Sequence, residues 1–295
     1  MTEPTVLTRA CLGAVSVADG PTREQLNILD HVVRGYFGVA IDLERLTPLS
    51  PNEAAAQVDA DDYHRLIDLM IVLEFCRHPA DLAQADRVEA YARAFGEDEP
   101  FLIVARDALK NDRAAVAADW ERFREPACME PGIDETGDVG DQLMVLRNCP
   151  PASLGRGLYD FYRRWGLQFP DNDRVDLVCH DFTHVISGYE PMPVGEIALQ
   201  AMLTSATNFN HHFSSLVATL AFSETGNIDF PDAMPKTETL DRNGAAEALA
   251  DAFRRGQQCG QDFEGIDHMA MIDRPLGDVR RELGIVGSKF TSTRV

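Results

Sequence analysis

Residues 180–196 read HDFTHVISGYEPMPVGE: two histidines four apart, an aspartate directly after the first, and a glutamate twelve residues past the second. On a helix, side chains at i and i+4 share a face with Cβ atoms roughly 5–6 Å apart. His180 and His184 therefore point the same way, with Asp181 beside them. Two neutral imidazoles with one or two carboxylates suit zinc, or iron or manganese, better than magnesium or calcium, which prefer all-oxygen cages. The expectation is a divalent metal, zinc first, held by His180, Asp181, His184 and Glu196. If both acids bind, four protein ligands close a tetrahedral site and make it structural. If one position stays open, the same residues become catalytic.

The surrounding residues position these four. A helix is expected over 174–187, ending where Gly188 allows a left-handed cap. Pro191 and Pro193 forbid continuation, and Gly195 releases a new helix whose first residue is about Glu196. A carboxylate in a first turn is favoured in its ionised form by the exposed amides, which is the form a cation needs. The motif is a relative of the zinc-peptidase pattern His-Glu-x-x-His, but aspartate is one methylene shorter and no strand is expected that would hold an extended peptide. Further on, TNFNHHFSS supplies Asn208, Asn210, His211 and His212. On an unbroken helix His211 would lie about 22 Å from Glu196, so these residues are read as substrate-side polar groups or helix surface. Cys179 faces away from the histidines by about 100° and is read as packing.

Apolar residues recur three or four apart almost everywhere, as in Leu26, Leu29, Val33 and Phe37, or Leu154, Leu158, Phe161 and Trp165, and nothing reads as a strand. The fold class is all-α, in two helical domains, the carboxy-terminal one carrying a metal site between helices. Proline, glycine and acidic residues concentrate in EPACMEPGIDETGDVGDQ, which places a linker near 125–141 between domains at 1–130 and 141–295. A second irregular stretch, TGNIDFPDAMPKTETLDRNG, is expected as a surface loop.

The chain has 295 residues, 48 acidic against 27 basic, and a formal charge of −21, a field that repels phosphate backbones and argues against nucleic-acid binding. Six scattered cysteines with no Cys-x-x-Cys pair are read as reduced thiols. No run approaches the roughly 18–20 apolar residues needed to cross a bilayer, and no signal peptide is evident, so a cytoplasmic protein is expected.

The opening AVSVADGPTREQLNIL resembles the helical tellurite-resistance B-like domains, which implies such a domain over 1–130. Asp19 and Glu24 within it are read as helix punctuation, an Asp-Gly turn followed by an acidic first turn.

With His180, Asp181, His184 and Glu196 at their spacing, the chain resembles the ubiquinone (coenzyme Q) biosynthesis Coq-four family. That family's hallmark is His-Asp-x-x-His followed after eleven residues by Glu. PPASLGRGLYDFY, GEIALQA and RPLGDVRRELGI also match its pattern, so the resemblance spans about residues 145–286. It implies an all-helical fold and a divalent metal, usually zinc, on the four motif residues. It also implies a role late in ubiquinone assembly, replacing the ring C1 carboxylate of a prenylated benzoate precursor by hydroxyl. The implied partners are the prenylated quinone precursor, other quinone-biosynthesis proteins and a membrane surface met peripherally, and a homo-oligomer is expected. The mechanism that fits is Lewis-acid catalysis, with His180, His184 and Glu196 as ligands and Asp181 as fourth ligand or base. Arg156 and Arg280 are candidates for binding an anionic head group, and a long helix from Glu196 to Phe222 for lining an isoprenoid groove. The competing reading is a non-catalytic lipid-binding scaffold subunit in which the metal pins two helices together.

Overall fold

The structure, a computed structural model, describes residues 2–17, 19–134, 136–229 and 234–287. Among these it consists of α-helices and short 3-10 turns, with no β-strand. The amino-terminal helices are α1 (Pro4–Val15), α2 (Arg23–Gly35), α3 (Pro51–Ala55), α4 (Tyr63–Phe75), α5 (Leu82–Phe95), α6 (Phe101–Leu109) and α7 (Arg113–Phe123). The carboxy-terminal ones are α8 (Val139–Leu143), α9 (Leu154–Trp165), α10 (Asp176–Ser187), α11 (Pro193–Ala206), α12 (Phe213–Ser223), α13 (Ala245–Cys259) and α14 (Leu276–Glu282). The all-α class read from the apolar spacing is thus the observed one. Residues 230–233 of the expected surface loop and residue 135 of the expected linker lie outside the described residues.

Local chemistry sets the helix ends. Thr22 and Gln25 satisfy each other's backbone amides in a capping box that starts α2, and Gly188 closes α10 at φ 84°. Pro193 starts α11 at its first position, where a missing N–H costs nothing. Helix α10 begins at Asp176 rather than 174, and α11 three residues before Glu196, which places that carboxylate inside the first turn.

The long helix expected from Glu196 to Phe222 is instead two helices, α11 and α12, joined by a tight reversal at 207–212. Asn208, Phe209 and His212 all take positive φ there. Asparagine and histidine are among the residues that tolerate this conformation. Phe209 is held in it by burial, stacking on Phe253 with ring centroids 5.6 Å apart. Glu125 accepts a hydrogen bond of 2.6 Å from the His212 amide at the start of α12.

One contiguous apolar cluster runs from Leu7 on α1 to Ile285 after α14. Helix α13 is central to it, packed on α11 along one side and on α2 along another. Alanines at 245, 246, 248, 250 and 252 are buried there, and small side chains allow this close approach on both sides. A Cβ on Gly256 would stand 2.1 Å from the Met202 carbonyl oxygen, so only glycine fits against α11. Arg255 is 2% exposed. Its guanidinium donates to the Ser187 carbonyl at 2.6 Å and to that of Val286 at 3.0 Å, tying α13 to the end of α10. The 125–134 stretch is also packed down: Ile133 is buried, and Glu130 pairs with the fully buried His268 at 2.7 Å. No helix among the described residues is long and apolar enough to cross a membrane.

Candidate metal centre

Helices α10 and α11 bring His180, His184 and Glu196 together. The two Nε2 atoms are 3.1 Å apart, His180 Nε2 lies 3.3 Å from Glu196 Oε2, and His184 Nε2 lies 3.2 Å from Oε1. Donor atoms at Zn–N and Zn–O distances of about 2.0–2.1 Å are about 3.3 Å apart along a tetrahedral edge. The triangle already has that size, so these residues fit a small divalent cation.

The outer nitrogens have their own neighbours. His184 Nδ1 is 3.1 Å from the Tyr189 carbonyl oxygen, an acceptor that fixes the proton on Nδ1 and leaves the Nε2 lone pair facing inward. The same ring is 1% exposed and stacks on Phe161 with centroids 5.5 Å apart. His180 Nδ1 has Glu264 Oε1 at 3.9 Å, beyond hydrogen-bond reach, so that carboxylate acts on the ring through its charge. The side chains of His180 and Glu196 are 21% and 31% exposed, so the triangle has an open side.

Asp181 belongs to the same cluster: His180, Asp181 and His184 each present a ligand atom within 4.8 Å of the others. It is 8% exposed, and Oδ2 accepts a hydrogen bond from the hydroxyl of Tyr162 on α9. Burial raises the Asp181 pKa from its ordinary value, against the pull of His180 and Tyr162. Burial also opposes a charge on His180, but Glu196 outweighs it by hydrogen bond and charge, with Asp181 and Glu264 adding, and holds the ring up to about 9. Glu196 is the converse: burial works against its charge, yet His184 and His180 bring it well below its usual range.

Two residues enter that the sequence reading did not include in the site. Glu264 lies in the turn after α13, where Asp262 accepts backbone hydrogen bonds from Glu264 at 2.9 Å and Gly265 at 3.3 Å. Its Oε2 is 3.1 Å from His212 Nδ1, while His212 Nε2 is 3.2 Å from Asp262. The reading of His212 as a substrate-side polar group or helix surface assumes an unbroken helix after Glu196. The reversal at 207–212 removes that premise and connects it to His180 through Glu264. An acidic pair in a short glycine-flanked segment, GQDFEG, was the only local sign of this turn. Cys179 is buried outside the donor triangle, and its Sγ donates to the Glu264 carbonyl at 2.8 Å, fastening that turn to α10.

The two arginines have protein partners. Arg156 faces both Asp160 carboxylate oxygens at 3.1 Å on the surface of α9. Arg280, half-buried on α14, donates at 2.8 Å to the carbonyls of both Val185 and Ile186, closing the last turn of α10. His211 is exposed and lies 3.2 Å from Glu125.

No family model matches the chain, and no curated protein does. Among solved structures, the chain is similar to the crystal structure of a candidate ubiquinone biosynthesis protein from Nostoc punctiforme PCC 73102. The TM-score is 0.36 and the identity 15%, over 77% of this chain and 99% of that one. A superposition this loose leaves the site's own geometry to carry the functional reading.

Proposed function

We propose that this chain is a metal-dependent protein of ubiquinone biosynthesis that acts on the ring of a prenylated benzoate precursor, at the step where the C1 carboxylate gives way to hydroxyl. The observation that supports it most is the approach of His180 Nε2 and His184 Nε2 to each other and each to one oxygen of Glu196, at 3.1–3.3 Å, with His180 and Glu196 partly exposed. The residues forming it are those of the motif that resembles the Coq-four family.

In this reading His180, His184 and Glu196 hold the cation, with zinc first and iron or manganese as alternatives. Bound there, the metal would supply Lewis-acid charge withdrawal from the ring oxygens. The Tyr189 carbonyl orients His184, and the Glu264 carboxylate adds negative charge beside His180. Asp181, held by Tyr162 beside the two histidines, is placed as the acid–base group that would exchange a proton with the ring carbon that carbon dioxide leaves. Decarboxylation alone ends with that proton on C1. Putting hydroxyl there is a further two-electron oxidation, so dioxygen or another two-electron acceptor must enter with the precursor. A prenylated precursor resides in a bilayer, and contact with it would be peripheral.

The second reading, a scaffold subunit with a structural metal, is favoured by the nearness of Asp181, which as a fourth ligand would close the site. Lipid extracts of a deletion strain complemented with wild type or His184→Ala separate the two. On the catalytic reading, the variant folds, lacks the metal and accumulates a carboxylated prenyl-aromatic precursor. A metal-free variant that restores normal quinone levels would sink that reading.

A further inference from the structure

A second group of ligand-type side chains lies where the ends of α2, α4 and α12 meet. Glu24 in the first turn of α2, Cys76 at the end of α4 and Glu224 at the end of α12 each present a donor atom, all within 4.8 Å of one another. His78, two residues past Cys76, places Nε2 3.3 Å from Glu224 Oε2. Glu24 is 7% exposed, and Cys76 and Glu224 are fully buried.

This interior is short of positive charge. Among the described residues neither carboxylate is ion-paired with an arginine or lysine. Glu224 Oε1 accepts from the Leu240 amide at 2.7 Å, and Oε2 faces His78. Glu24 Oε1 is sealed from solvent and has no hydrogen-bond partner among the described residues. Glu24 does lie in the first turn of α2, as helix punctuation expects, but the capping hydrogen bonds there belong to Thr22 and Gln25, and the Glu24 side chain is buried instead of solvated. Two carboxylates buried side by side require a shared proton or a cation.

The donor set favours the cation. A thiol and an imidazole beside two carboxylates make a mixed sulfur, nitrogen and oxygen set, the chemistry of zinc rather than of calcium or magnesium. The other buried groupings have simpler explanations. Glu130 and His268 are satisfied by each other and by the Met269 amide and the Phe263 carbonyl. The grouping of His64, Asp68 and Glu99 offers no thiol, and its imidazole is 43% exposed with Nε2 facing the Phe209 carbonyl at 3.2 Å, so it lies open to water.

We propose that Glu24, Cys76, His78 and Glu224 form a second, structural site for a thiophilic divalent cation, zinc by its donor set, which clamps α2 and α4 to the end of α12. Three of the four donors already converge, and His78, standing against Glu224, would complete the set; four protein ligands leave no open position, so the site stabilises the fold and carries no chemistry. Binding releases the Cys76 thiol proton, and with it the hydrogen bond that Sγ now makes to the Val72 carbonyl at 3.1 Å. The proposal is independent of the quinone reading.

Cobalt(II) titration of the full-length chain tests it, because a thiolate ligand gives a near-ultraviolet charge-transfer absorption that His180, His184 and Glu196 cannot supply. The absorption is expected in wild type and in His184→Ala, and is lost in Cys76→Ser. Glu24→Gln, which keeps the side-chain shape and the thiol, should bind one metal ion fewer per chain and lose its thermal stabilisation by zinc. Should Cys76→Ser fail to fold, Glu24→Gln carries the test. The proposal is overturned if wild type lacks the absorption at saturation, if Cys179→Ser rather than Cys76→Ser abolishes it, or if Glu24→Gln binds as much metal as wild type, the mark of a shared proton.

Discussion

Tyr162→Phe isolates the support given to Asp181. The phenol ring is buried, so phenylalanine preserves its packing and removes only the hydroxyl that donates to Asp181 Oδ2. A hydrogen bond to a charged group contributes about 1.5–3 kcal/mol, and a carboxylate that is 8% exposed cannot replace it fully with water. The water that does reach the carboxylate limits the loss to the lower part of that range. The expected destabilisation is therefore about 1.5–2 kcal/mol, roughly ten- to thirtyfold in the folding equilibrium. Urea denaturation of metal-free wild type, Tyr162→Phe, Asp181→Asn and the double variant should give a coupling of about 1 kcal/mol. If Asp181 helps hold the cation, Tyr162→Phe should also weaken metal binding by about 10–100-fold. Single changes that add to within about 0.3 kcal/mol would refute the reasoning, since residues that touch do not behave as independent sites.

The pH dependence of stability should carry the signature of His212 and Asp262. Burial opposes the charge on His212, but the carboxylates of Asp262 and Glu264, which accept from its ring, hold it up to about 10. Its contribution is thus complete below its ordinary 6.5 and lost as pH rises toward 10. Burial likewise opposes the charge on Asp262, and His212 outweighs it, lowering Asp262 from 3.8 to about 2. Its share is present above 3.8 and fades as pH falls toward 2. Thermal melts of wild type against His212→Gln across this range should differ most between these limits and converge at alkaline pH. Gly256→Val forces α13 away from the Met202 carbonyl and should cost about 1–3 kcal/mol or more, read as a lowered Tm. Arg280→Met removes both donors to the last turn of α10 and should cost about 2 kcal/mol, with faster amide exchange confined to the end of that helix. An unchanged exchange pattern there would assign Arg280 some role other than capping.

The sequence by itself determined whatever depends on angle around one helix axis or on a short connection. The all-helical class follows from apolar spacing. The convergence of His180 and His184 follows from their i, i+4 register, and the return of Glu196 from Gly188 and two prolines, which leave little choice of path between α10 and α11. The reversal at 207–212 lay beyond such reasoning, because TSATNFNHH contains neither proline nor glycine and its left-handed residues are stabilised by Phe209 packing on a helix forty residues later.

Glu264 and His212 joined the site only through that reversal and through the turn after α13. Arg280, which by charge alone could have met a substrate, was assigned to the end of α10 by the docking of α14. The grouping of Glu24, Cys76, His78 and Glu224 draws on three helix ends separated by up to two hundred positions. Spacing along a chain fixes directions within an element. Which side chains meet across elements is decided by the packing of whole helices, here by the glycine and alanine faces of α13 that set how closely its neighbours approach.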